Sequence, residues 1–414
     1  MKILMFSQFF PPEANAPAHR MGFFARFFAE QYQDKVTVIC ETPNYPRSEV
    51  FPGFKNKWFQ RAEEQGITVI RSWAWVTKQR NTISYLLIYA SFLISSFFAG
   101  LRAGRADVVF ATSPPLPVLF SALVISFIRR IPLVVDIRDI WPESALAVGV
   151  LKKNLFYRVL EACERYVYRR ARVVTVNAEG IGKRLHEGRG VPKEKIKFFP
   201  NGADMELFDG TADTSEIDKM YGTKDKFVVF FAGILGRAQD PQVIVEAANL
   251  IRDENNIAFV LVGSGALKGE CEARTEELKL TNTFFVGERP REDMPKYFAR
   301  ANVGLNTLFP DPLFSDVISS KVFDYMAAGV PVIGNHEGEG ARIITRAGCG
   351  LVAEGGSARS LADRILELFR DKTYAKKMGS KGKAYAAAHY DKRVIAQELH
   401  ELLMRTSDRT RGRA

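Results

Sequence analysis

Short runs of β-branched and other apolar residues recur along the first half of the chain, and longer amphipathic stretches separate them. Continuous apolar strands that alternate with helices are typical of a parallel sheet that helices cover on both faces. The pattern therefore predicts a doubly wound α/β domain. Its predicted strands are residues 2–6, 36–40, 68–70, 108–111, 133–136 and 173–176.

The same alternation begins again after a polar, turn-rich segment at residues 200–226. The fold class is therefore α/β, with two Rossmann-like, doubly wound domains that we expect to face one another across a cleft. We place the domains at residues 1–199 and 200–385, with a C-terminal helix and tail at 386–414. The predicted strands of the second domain are residues 227–232, 258–262, 283–286, 303–305, 330–333 and 350–352.

Residues 380–404 have a helical period in which the apolar positions form one stripe. We expect a closing helix that crosses back to the first domain, followed by a polar, frayed tail at residues 407–414. The stripe consists of Tyr385, Tyr390, Ile395, Leu399, Leu402 and Leu403.

The chain has 414 residues, of which 47% are hydrophobic and 25% are charged, a composition typical of a folded protein. Residues 1–10 predict the first strand rather than a secretory signal. The four cysteines are far apart and form no CxxC pair, so we expect neither a disulfide scaffold nor a zinc site. These features favour a cytoplasmic protein.

Basic charge is concentrated in the first half of the chain. Residues 1–200 contain 29 Lys and Arg against 16 Asp and Glu, whereas residues 201–414 contain 29 against 31. The surplus indicates either an anionic partner, such as nucleic acid or a membrane surface, or simply a solvated basic surface. No aromatic-interleaved groove or nucleic-acid-reading motif accompanies it, so we expect no nucleic-acid partner.

The longest uncharged run, residues 83–101, has the length of a membrane span. It contains four serines and a glycine and leads into a predicted strand, so we favour a buried or interface-lying helix and keep a span as the alternative. A second apolar stretch, residues 117–128, precedes Arg129 and Arg130. Together the two stretches predict peripheral association with the inner face of the cytoplasmic membrane.

Polar side chains follow two predicted strands of the first domain, at the sheet edge where such folds bind ligands. In the first loop, a helix that begins near Pro17 would offer N–H groups to an anion beside Asn15, His19 and Arg20. A solvated first helical turn is the alternative for His19 and Arg20. We assign these three residues to the acceptor side.

The loop at residues 136–144 carries four charged residues and a tryptophan directly after an apolar strand. Arg138 would neutralise a phosphate, and Asp139 or Glu143 would bind hydroxyls or accept a proton. We assign Arg138 and Asp139 to catalysis and Glu143 to the acceptor side. The alternative is a local salt-bridged turn.

Two turns in the second half are candidate pyrophosphate cradles. Gly236 and Arg237 follow the strand at 227–232, and Gly263 follows the strand at 258–262. The sequence contains no GxGxxG motif, which argues against a nicotinamide or flavin enzyme.

Residues 311–333 combine a loop acid with a predicted helix start. Asp316 would meet a sugar, and Asp324, eight positions later, would bind ribose hydroxyls. Ser320 and Lys321 stand at the start of the helix and would bind phosphates together with its free N–H groups.

This segment resembles the E-x7-E region of family 4 glycosyltransferases, with Asp316 and Asp324 at the two acidic positions. Further co-linear matches are residues 325–332 (YMAAGVPV), residues 200–204 (PNGAD) with Phe208, residues 338–352 (GEGARIITRAGCGLV) and residues 139–144 (DIWPES). The last is similar to the DLWPES of a subgroup that builds bacterial surface polysaccharide with N-acetylated amino sugars. The resemblance extends from residue 2 to about residue 390.

The resemblance implies the GT-B fold and a retaining glycosyltransferase that needs no metal and no other cofactor. Arg237 and Lys321 would hold the donor pyrophosphate, Asp324 the ribose and Asp316 the sugar, while Arg138 falls where many relatives have a histidine. The donor would be a UDP-sugar. The acceptor would be a lipid-diphosphate-linked glycan or another saccharide in surface polysaccharide or O-antigen synthesis.

Three features of the sequence depart from the family pattern. Both acidic positions are aspartates instead of glutamates, so each contact must be rebuilt by a helix shift or a water. Gln239 or Asp240 replaces the lysine that usually follows the arginine of the turn, and Ala14-Asn15 replaces a glycine pair. A nucleotide-sugar epimerase of the same architecture is the alternative function, and the sequence does not indicate the oligomeric state.

Overall fold

Contacts divide the chain into two compact units, Met1–Pro200 with Arg393–Ala414, and Asn201–Lys392. The structure is a computed structural model that describes residues 1–13, 15–45, 48–79, 82–147, 151–210, 212–312 and 314–411. Ala14, one of the two residues that replace the family's first-loop glycines, lies outside this part of the chain.

The first unit is built on a twisted sheet. Within the described residues, its eight strands have the order β3-β4-β2-β1-β5-β6-β7-β8. All neighbouring pairs are parallel except the β3-β4 hairpin. The strands are β1 Lys2–Phe6, β2 Lys35–Glu41, β3 Phe59–Glu64, β4 Ile67–Ser72, β5 Val108–Ser113, β6 Leu133–Ile137, β7 Val173–Val176 and β8 Ile196–Phe198.

Helices follow the strands of this sheet, as predicted for a doubly wound domain. The side chains of β5 and β6 are buried along their whole length, which explains why their sequences are continuously apolar or neutral apart from Asp136. The helices are α1 Ala16–Tyr32, α2 Thr82–Arg102, α3 Pro117–Arg129, α4 Glu143–Ala147, α5 Leu155–Arg170 and α6 Glu179–Arg189.

One edge of this sheet carries an antiparallel strand that the sequence patterns did not predict. Strand β3 is antiparallel to β4, and the turn between them has positive φ at Gln65 and Gly66. This is the backbone geometry of a tight hairpin. The strand escaped prediction because its sequence, FQRAEE, alternates between half-buried and exposed positions and contains no apolar run.

The second unit contains an all-parallel sheet with the order β11-β10-β9-β12-β13-β14. Its strands are β9 Phe227–Ala232, β10 Ile257–Val262, β11 Thr283–Gly287, β12 Val303–Thr307, β13 Val332–Asn335 and β14 Gly350–Ala353. Its helices are α7 Ser215–Tyr221, α8 Pro241–Leu250, α9 Lys268–Glu277, α10 Met294–Arg300, α11 Ser320–Ala327, α12 Glu339–Ala347, α13 Ala358–Arg370 and α14 Lys372–His389.

The C-terminal helix crosses back to the first unit, as predicted, but the expected single helix at residues 380–404 is divided. Helix α14 ends at His389, and α15 Lys392–Arg411 begins two residues beyond Tyr390. Ala203 separates the helices, because its N–H donates to the carbonyl of Tyr390 and its carbonyl accepts from the N–H of Lys392.

The predicted apolar stripe therefore divides between the units. Tyr390 contacts Phe323 in the second unit, with the ring centroids 4.9 Å apart. Ile395, Leu399 and Leu403 of α15 join the core of the first unit, beside α1 and β1. The stripe therefore packs partly against the second unit and partly in the core of the first.

The expectation of a frayed tail from residue 407 was also wrong over most of its length. Helix α15 continues to Arg411, and the side chains of Thr406 and Ser407 are buried. Polar composition misled the prediction, because Thr406 donates its hydroxyl to the carbonyl of Leu402 inside the helix. Residues 412–414 lie outside the described part of the chain.

The uncharged run at residues 83–101 falls within α2, which packs against α3. Among the residues that the structure describes, no helix combines the length and the apolar character that a membrane span requires.

Candidate active site

Lys321 is a buried cation at the start of α11. Its side chain is only 8% exposed, and its ammonium lies 4.1 Å from the centroid of the Phe231 ring. Within the described part of the chain, Nζ has no hydrogen-bond partner. Burial lowers the pKa of Lys321 to about 7. A buried ammonium with no counter-charge is unfavourable in the empty protein, and a bound anion would supply the missing partner.

Two glycine-bearing turns bring the loops after β9 and β10 close together near this cation. A Cβ at Gly233 would lie 3.3 Å from Nζ of Lys321, so the turn after β9 passes directly over the ammonium. Gly263 has φ +137°, and a Cβ there would lie 1.9 Å from the carbonyl oxygen of Gly233. Only glycine fits this contact. Gly263 therefore shapes the turn, whereas Gly236 has an ordinary extended conformation.

Arg237 begins the short 3₁₀ turn that follows Gly236. Its side chain is exposed, and its guanidinium lies 5.7 Å from the ring centroid of Phe309. The backbone of Phe309 also donates to the carbonyl of Ala238, which ties the turn to the segment after β12. Arg237 therefore projects from a supported turn at the carboxyl edge of the sheet, where this fold binds ligands.

Asp316 ends a 3₁₀ turn, Phe314–Asp316, and is half-buried. Gly338 has φ +94°, and a Cβ at this position would lie 2.1 Å from the carbonyl oxygen of Ser315. The turn therefore depends on a glycine before α12 for its position. The position of Asp316 is therefore linked to the backbone conformation at Gly338.

Asp324 lies one turn inside α11 in a cluster with three other charged residues. The guanidinium of Arg291 is 3.8 Å from the Asp324 carboxylate and 3.1 Å from that of Asp204, and Lys392 lies 3.6 Å from Asp204. Burial raises the pKa of Asp324, and the charges of Arg291 and Lys392 oppose the shift. Although burial would also raise the pKa of Asp204, the same two cations hold it below its usual value.

The sequence analysis did not identify Arg291 or Lys392. Arg291 stands in the loop after β11, and a search of every strand end for charged residues would have found it. Lys392 is 188 residues from Asp204 and is the first residue of α15, so only the folded chain brings it to this cluster.

His336 is a second buried residue that the sequence did not single out. Its Nδ1 lies 2.9 Å from the carbonyl oxygen of Glu337, and its Nε2 lies 2.6 Å from Nδ2 of Asn306. Nδ1 must donate to the carbonyl, so Nε2 accepts from the amide of Asn306. Burial lowers the pKa of His336, as expected for a neutral ring. Oδ1 of Asn306 has no hydrogen-bond partner among the described residues.

The first-loop candidates have structural contacts in the first unit. Asn15 is the N-cap of α1, and its Oδ1 accepts from the N–H of Ala18 at 2.9 Å. Arg20, which we expected to face a ligand, is 4% exposed and forms a bidentate pair with Asp136. His19 is half-buried in the first turn of the same helix.

The Arg20 guanidinium also donates to the carbonyls of Phe199 and Pro200, the last residues before the second unit. It therefore fixes the end of the first unit to the carboxyl end of β6. Although burial would raise the pKa of Asp136, the Arg20 guanidinium holds it below its usual value. The sequence gives no sign of this pair, because its members are 116 residues apart.

Arg138 and Asp139 remain together after β6. Nε of Arg138 donates to Oγ1 of Thr112 at 2.9 Å, and NH2 donates to the carbonyl of Pro114. Burial lowers the pKa of Arg138 to about 10, and burial raises the pKa of the Asp139 carboxyl. Arg138 is thus positioned by β5 and its following loop, whereas Asp139 is a carboxyl group with an increased affinity for a proton.

Glu143 forms ion pairs at the start of α4. Its two carboxylate oxygens lie 3.1 Å from Arg184 and 3.0 Å from Arg189. Arg189 also pairs with Glu164, whose pKa burial raises to about 7. Glu143 thus links its loop to α6, and through Arg189 to α5. Its partners are 41 and 46 residues away in the sequence, so the contacts are not those of the local salt-bridged turn that we kept as the alternative.

Two buried carboxyl groups, Glu13 and Glu41, bind the first loop and the segment that follows β2. Glu13 accepts the backbone N–H groups of Asn44 and Tyr45, both at 2.9 Å, and Glu41 accepts from Gln8 at 2.8 Å. Burial raises the pKa of Glu13 to about 7 and the pKa of Glu41 above its usual range. In the described part of the chain, no group of three or more Asp, Glu, His or Cys is arranged to hold a metal ion.

Two family models match consecutive parts of the chain. "Glycosyl transferase 4-like domain" matches residues 25–202, and "Glycosyl transferases group 1" matches residues 213–385. The chain is a glycosyltransferase of this family. The resemblance that the Asp316-x7-Asp324 region indicated is thereby confirmed.

Two bacterial relatives of this chain are named as glycosyltransferases. WcaI of Escherichia coli K12, whose name assigns it to colanic acid biosynthesis, is 27% identical over 305 residues, which cover 71% of this chain and 74% of WcaI. WbjE of Pseudomonas aeruginosa, named as a glycosyltransferase, is 28% identical over 267 residues, which cover 64% of this chain and 66% of WbjE.

Solved structures share the fold of the glycosyltransferase over nearly its whole length. Anabaena Alr3699/HepE, in complex with UDP and glucose, has a TM-score of 0.73 at 20% identity and covers 98% of this chain and 99% of its own. WaaG, a glycosyltransferase involved in lipopolysaccharide biosynthesis, has a TM-score of 0.70 at 15% identity, with 97% and 99% covered. The prediction of the GT-B fold is confirmed.

Proposed function

We propose that this glycosyltransferase is a retaining, metal-independent enzyme that transfers an N-acetylated amino sugar from a UDP donor. The acceptor in this proposal is a lipid-diphosphate-linked glycan, and the pathway is the synthesis of a bacterial surface polysaccharide such as O-antigen. The observation that carries the proposal is the unpartnered, buried ammonium of Lys321 beneath the glycine turns of Gly233 and Gly263.

A diphosphate is the anion that this arrangement suits best. Lys321 supplies one positive charge, and Ser320 stands at the N-terminus of α11, where N–H groups point outward. Arg237 supplies a second cation from the turn after β9. These groups would stabilise the charge that develops on the leaving UDP, which is the task that a metal ion performs in other enzymes.

The sugar nucleotide is proposed to extend from its diphosphate at Lys321 to Asp324 on one side and Asp316 on the other. Asp324 would bind the ribose hydroxyls, and Arg291 beside it would keep the carboxylate ionised and oriented. Asp316 would bind hydroxyls of the sugar from its 3₁₀ turn. Support for UDP comes from the resemblance to the family and from the HepE complex with UDP and glucose.

The proposed reaction keeps the sugar's anomeric configuration. The bond between C1 of the sugar and the β-phosphate oxygen breaks, and its electron pair remains on UDP. The acceptor hydroxyl oxygen bonds to C1 on the same face, and its proton passes to the departing phosphate oxygen. Arg138 would orient an acceptor phosphate, and Asp139 would hold the attacking hydroxyl through its carboxyl group.

Bacterial surface polysaccharide is proposed as the pathway because WcaI is assigned by name to colanic acid biosynthesis and WaaG to lipopolysaccharide biosynthesis. A lipid-linked acceptor also accounts for the basic surplus of the first half, since its diphosphate is anionic.

The proposal is tested by a transfer assay with purified protein, EDTA and a panel of UDP, GDP and ADP sugars. With UDP-N-acetylglucosamine or UDP-N-acetylgalactosamine and a polyprenyl-diphosphate glycan, we expect a product one N-acetylhexosamine heavier by mass spectrometry. NMR should show the α-linkage of the donor retained. An inverted linkage, or activity that requires a divalent cation, would refute the corresponding part of the proposal.

A reaction without acceptor is the matched control. Isomerised nucleotide sugar in the absence of acceptor would identify an epimerase and overturn the proposed transfer. Thermal denaturation of the full chain with each nucleotide sugar should show the largest increase in Tm with the true donor, since stabilisation grows with ligand concentration relative to Kd.

A further inference from the structure

Helix α2 of the first unit has its polar and small residues turned inward. Ser91, Ser95, Ser96 and Gly100 are buried, and the hydroxyls of Ser96 and Ser121 of α3 are 2.8 Å apart. The small residues allow close packing, because a Cβ at Gly100 would lie 2.7 Å from Ile125, and Phe92 and Ala99 of α2 are buried beside them. The serines of α2 are therefore buried against the protein and do not make its solvent-facing side polar.

That outer side is apolar. Leu87, Ile94, Phe98 and Leu101 are all at least 38% exposed, and their spacing of seven, four and three residues places them on one helical face. A surface helix of a soluble protein normally has the opposite arrangement, with its apolar stripe toward the core. Exposed apolar side chains in such a row mark an interaction surface.

Helix α3 extends this surface. It runs parallel to α2, because Ser96 lies beside Ser121 and Gly100 lies beside Ile125 one turn later on both helices. Phe127 is 79% exposed and Ile128 is 52% exposed at the end of α3, at the level of Leu101. We call the outer stripe of α2 and the end of α3 the apolar face.

Tryptophan side chains border the apolar face. The rings of Trp58 and Phe98 are 6.4 Å apart, and Trp58 stacks on Trp73 at 5.7 Å. Trp75 is 47% exposed, and its backbone N–H donates to the hydroxyl oxygen of Ser91 of α2. Tryptophan favours the boundary between apolar and aqueous phases, because its ring is apolar and its N–H is a donor.

Arginines stand at the same end of the two helices. Arg102 is the last residue of α2 and Arg105 follows it, whereas Arg129 ends α3 and Arg130 is its C-cap residue. Asp107 is the only acidic residue between positions 65 and 135, and its carboxylate accepts the backbone N–H of Lys2. The charge next to the apolar face is therefore strongly positive and complements an anionic surface.

We propose that the apolar face inserts into the interfacial region of an anionic lipid bilayer, with the arginines bound to lipid phosphates. Apolar side chains, bordering tryptophans and a one-signed basic rim are together the features of interfacial membrane binding. The choice of a bilayer rests on the proposed function, because a lipid-linked acceptor is presented at a membrane. The helices lie on the membrane, which agrees with the finding that none of the described helices is suited to cross it.

The test is co-sedimentation of the full-length protein with vesicles of phosphatidylcholine containing about 30% phosphatidylglycerol. We expect the wild-type protein to bind these vesicles at low salt and to bind pure phosphatidylcholine vesicles much more weakly. Phe127→Ser with Ile128→Ser should reduce the partition coefficient about tenfold or more, since two exposed apolar side chains are lost. Arg105→Gln and Arg130→Gln should each reduce it about fivefold.

Matched controls come from the second unit. Met220 is 56% exposed and Arg370 is exposed, so Met220→Ser and Arg370→Gln change similar side chains away from the apolar face. Both should bind vesicles as the wild type does. The face variants should keep the wild-type Tm increase with UDP-sugar, which shows that they are folded and bind donor.

The outcomes separate this inference from the proposed function. If the wild-type protein does not bind anionic vesicles although UDP-sugar raises its Tm, the inference is overturned and the proposed function stands. If Phe127→Ser with Ile128→Ser instead converts a dimer to a monomer and vesicles do not bind, the apolar face is a contact between copies, which also overturns it. Vesicle binding without any response to UDP-sugars would support the inference and refute the proposed donor.

Discussion

The ammonium of Lys321 lies over the Phe231 ring with no hydrogen-bond partner among the described residues. The folded protein disfavours the charge, and burial lowers the pKa of Lys321 to about 7. A residue that lowers stability in the empty protein but matches an anion is typical of a functional site. The buried charge of Lys321 should therefore affect both the stability of the protein and the pH dependence of donor binding.

Lys321→Met should increase the free energy of unfolding by about 1–3 kcal/mol, because an unpartnered buried charge is replaced by a flexible apolar side chain that packs on Phe231. Urea denaturation of the protein without donor measures the change. Lys376, which is exposed on α14, is the control, and Lys376→Met should change stability by less than about 0.5 kcal/mol. A marked loss of stability in Lys321→Met would contradict the account.

Donor binding should weaken as the pH rises through the pKa of Lys321. The diphosphate binds the charged ammonium and raises its pKa, so binding takes up a proton above about pH 7. Below this pH the Kd should be constant, and above it the Kd should increase about tenfold per pH unit. Calorimetric titration with UDP-sugar, whose diphosphate does not titrate here, measures the profile. A flat wild-type profile, equal to that of Lys321→Met, would refute the linkage.

The assignments of single residues show the limits of the sequence. Lys321 was predicted because cations at helix starts are visible in a motif. The structural roles of Arg20 and Glu143 were not predicted, because their partners, Asp136 and Arg189, are distant in the sequence. The sequence also does not distinguish a buried arginine from an exposed one. Contacts of high sequence separation decide which polar residue faces a ligand.

At the scale of elements, the turns after β9 and β10 form the candidate diphosphate site together. Gly263 approaches the carbonyl of Gly233 so closely that a side chain has no space, and its φ of +137° is unfavourable for other residues. The two turns therefore depend on each other for their shape.

Gly263→Ala should lower the free energy of unfolding by about 2 kcal/mol or more, because the new Cβ would collide with the Gly233 carbonyl. UDP-sugar affinity should fall with it, since the turn over Lys321 must move. Gly269→Ala in α9 is the control. A Cβ at Gly269 meets nothing within 4 Å, and alanine should stabilise the helix by about 0.5–1 kcal/mol. Equal effects of the two substitutions in urea denaturation would contradict this account.

Helix α15 is an element of the first unit although it follows the second unit in sequence. Leu399 is fully buried in the core that contains Phe28 of α1 and Met5 of β1. Leu399→Ala should lower the free energy of unfolding by about 2–5 kcal/mol, whereas Met404→Ala, on the exposed side, should have little effect. Hydrogen exchange should show decreased protection of backbone amides in the first unit. Loss confined to the second unit would refute the assignment of α15.

Two features that the sequence patterns missed have separate causes. Strand β3 has no apolar run, because it is an edge strand with one exposed face. At the break between α14 and α15, the backbone of Ala203 bonds to Tyr390 and Lys392. Ala203 is distant from both in the sequence, so the helical spacing of apolar residues across 380–404 gives no sign of the break. Buried parallel strands were predicted within a few residues, since both faces of each strand are apolar.

At the scale of the whole molecule, two Rossmann-like domains alone would suit many nucleotide enzymes. The family models at residues 25–202 and 213–385 establish a glycosyltransferase, and the solved structures establish the GT-B fold. The residues proposed to bind the donor lie in the second unit, and those proposed to bind the acceptor lie in the first. The basic surplus and the apolar face belong to the first unit, so each unit is proposed to meet a different substrate.

The central claim is that Lys321 binds the diphosphate of a nucleotide sugar. Equilibrium titration of the full-length protein with UDP-N-acetyl sugar at pH 6.5, below the pKa of about 7, tests it most directly. Lys321→Met should raise the Kd about tenfold or more, the loss expected for one charge-assisted contact, while Lys376→Met should leave it unchanged. Equal donor affinity of wild type and Lys321→Met would contradict the account.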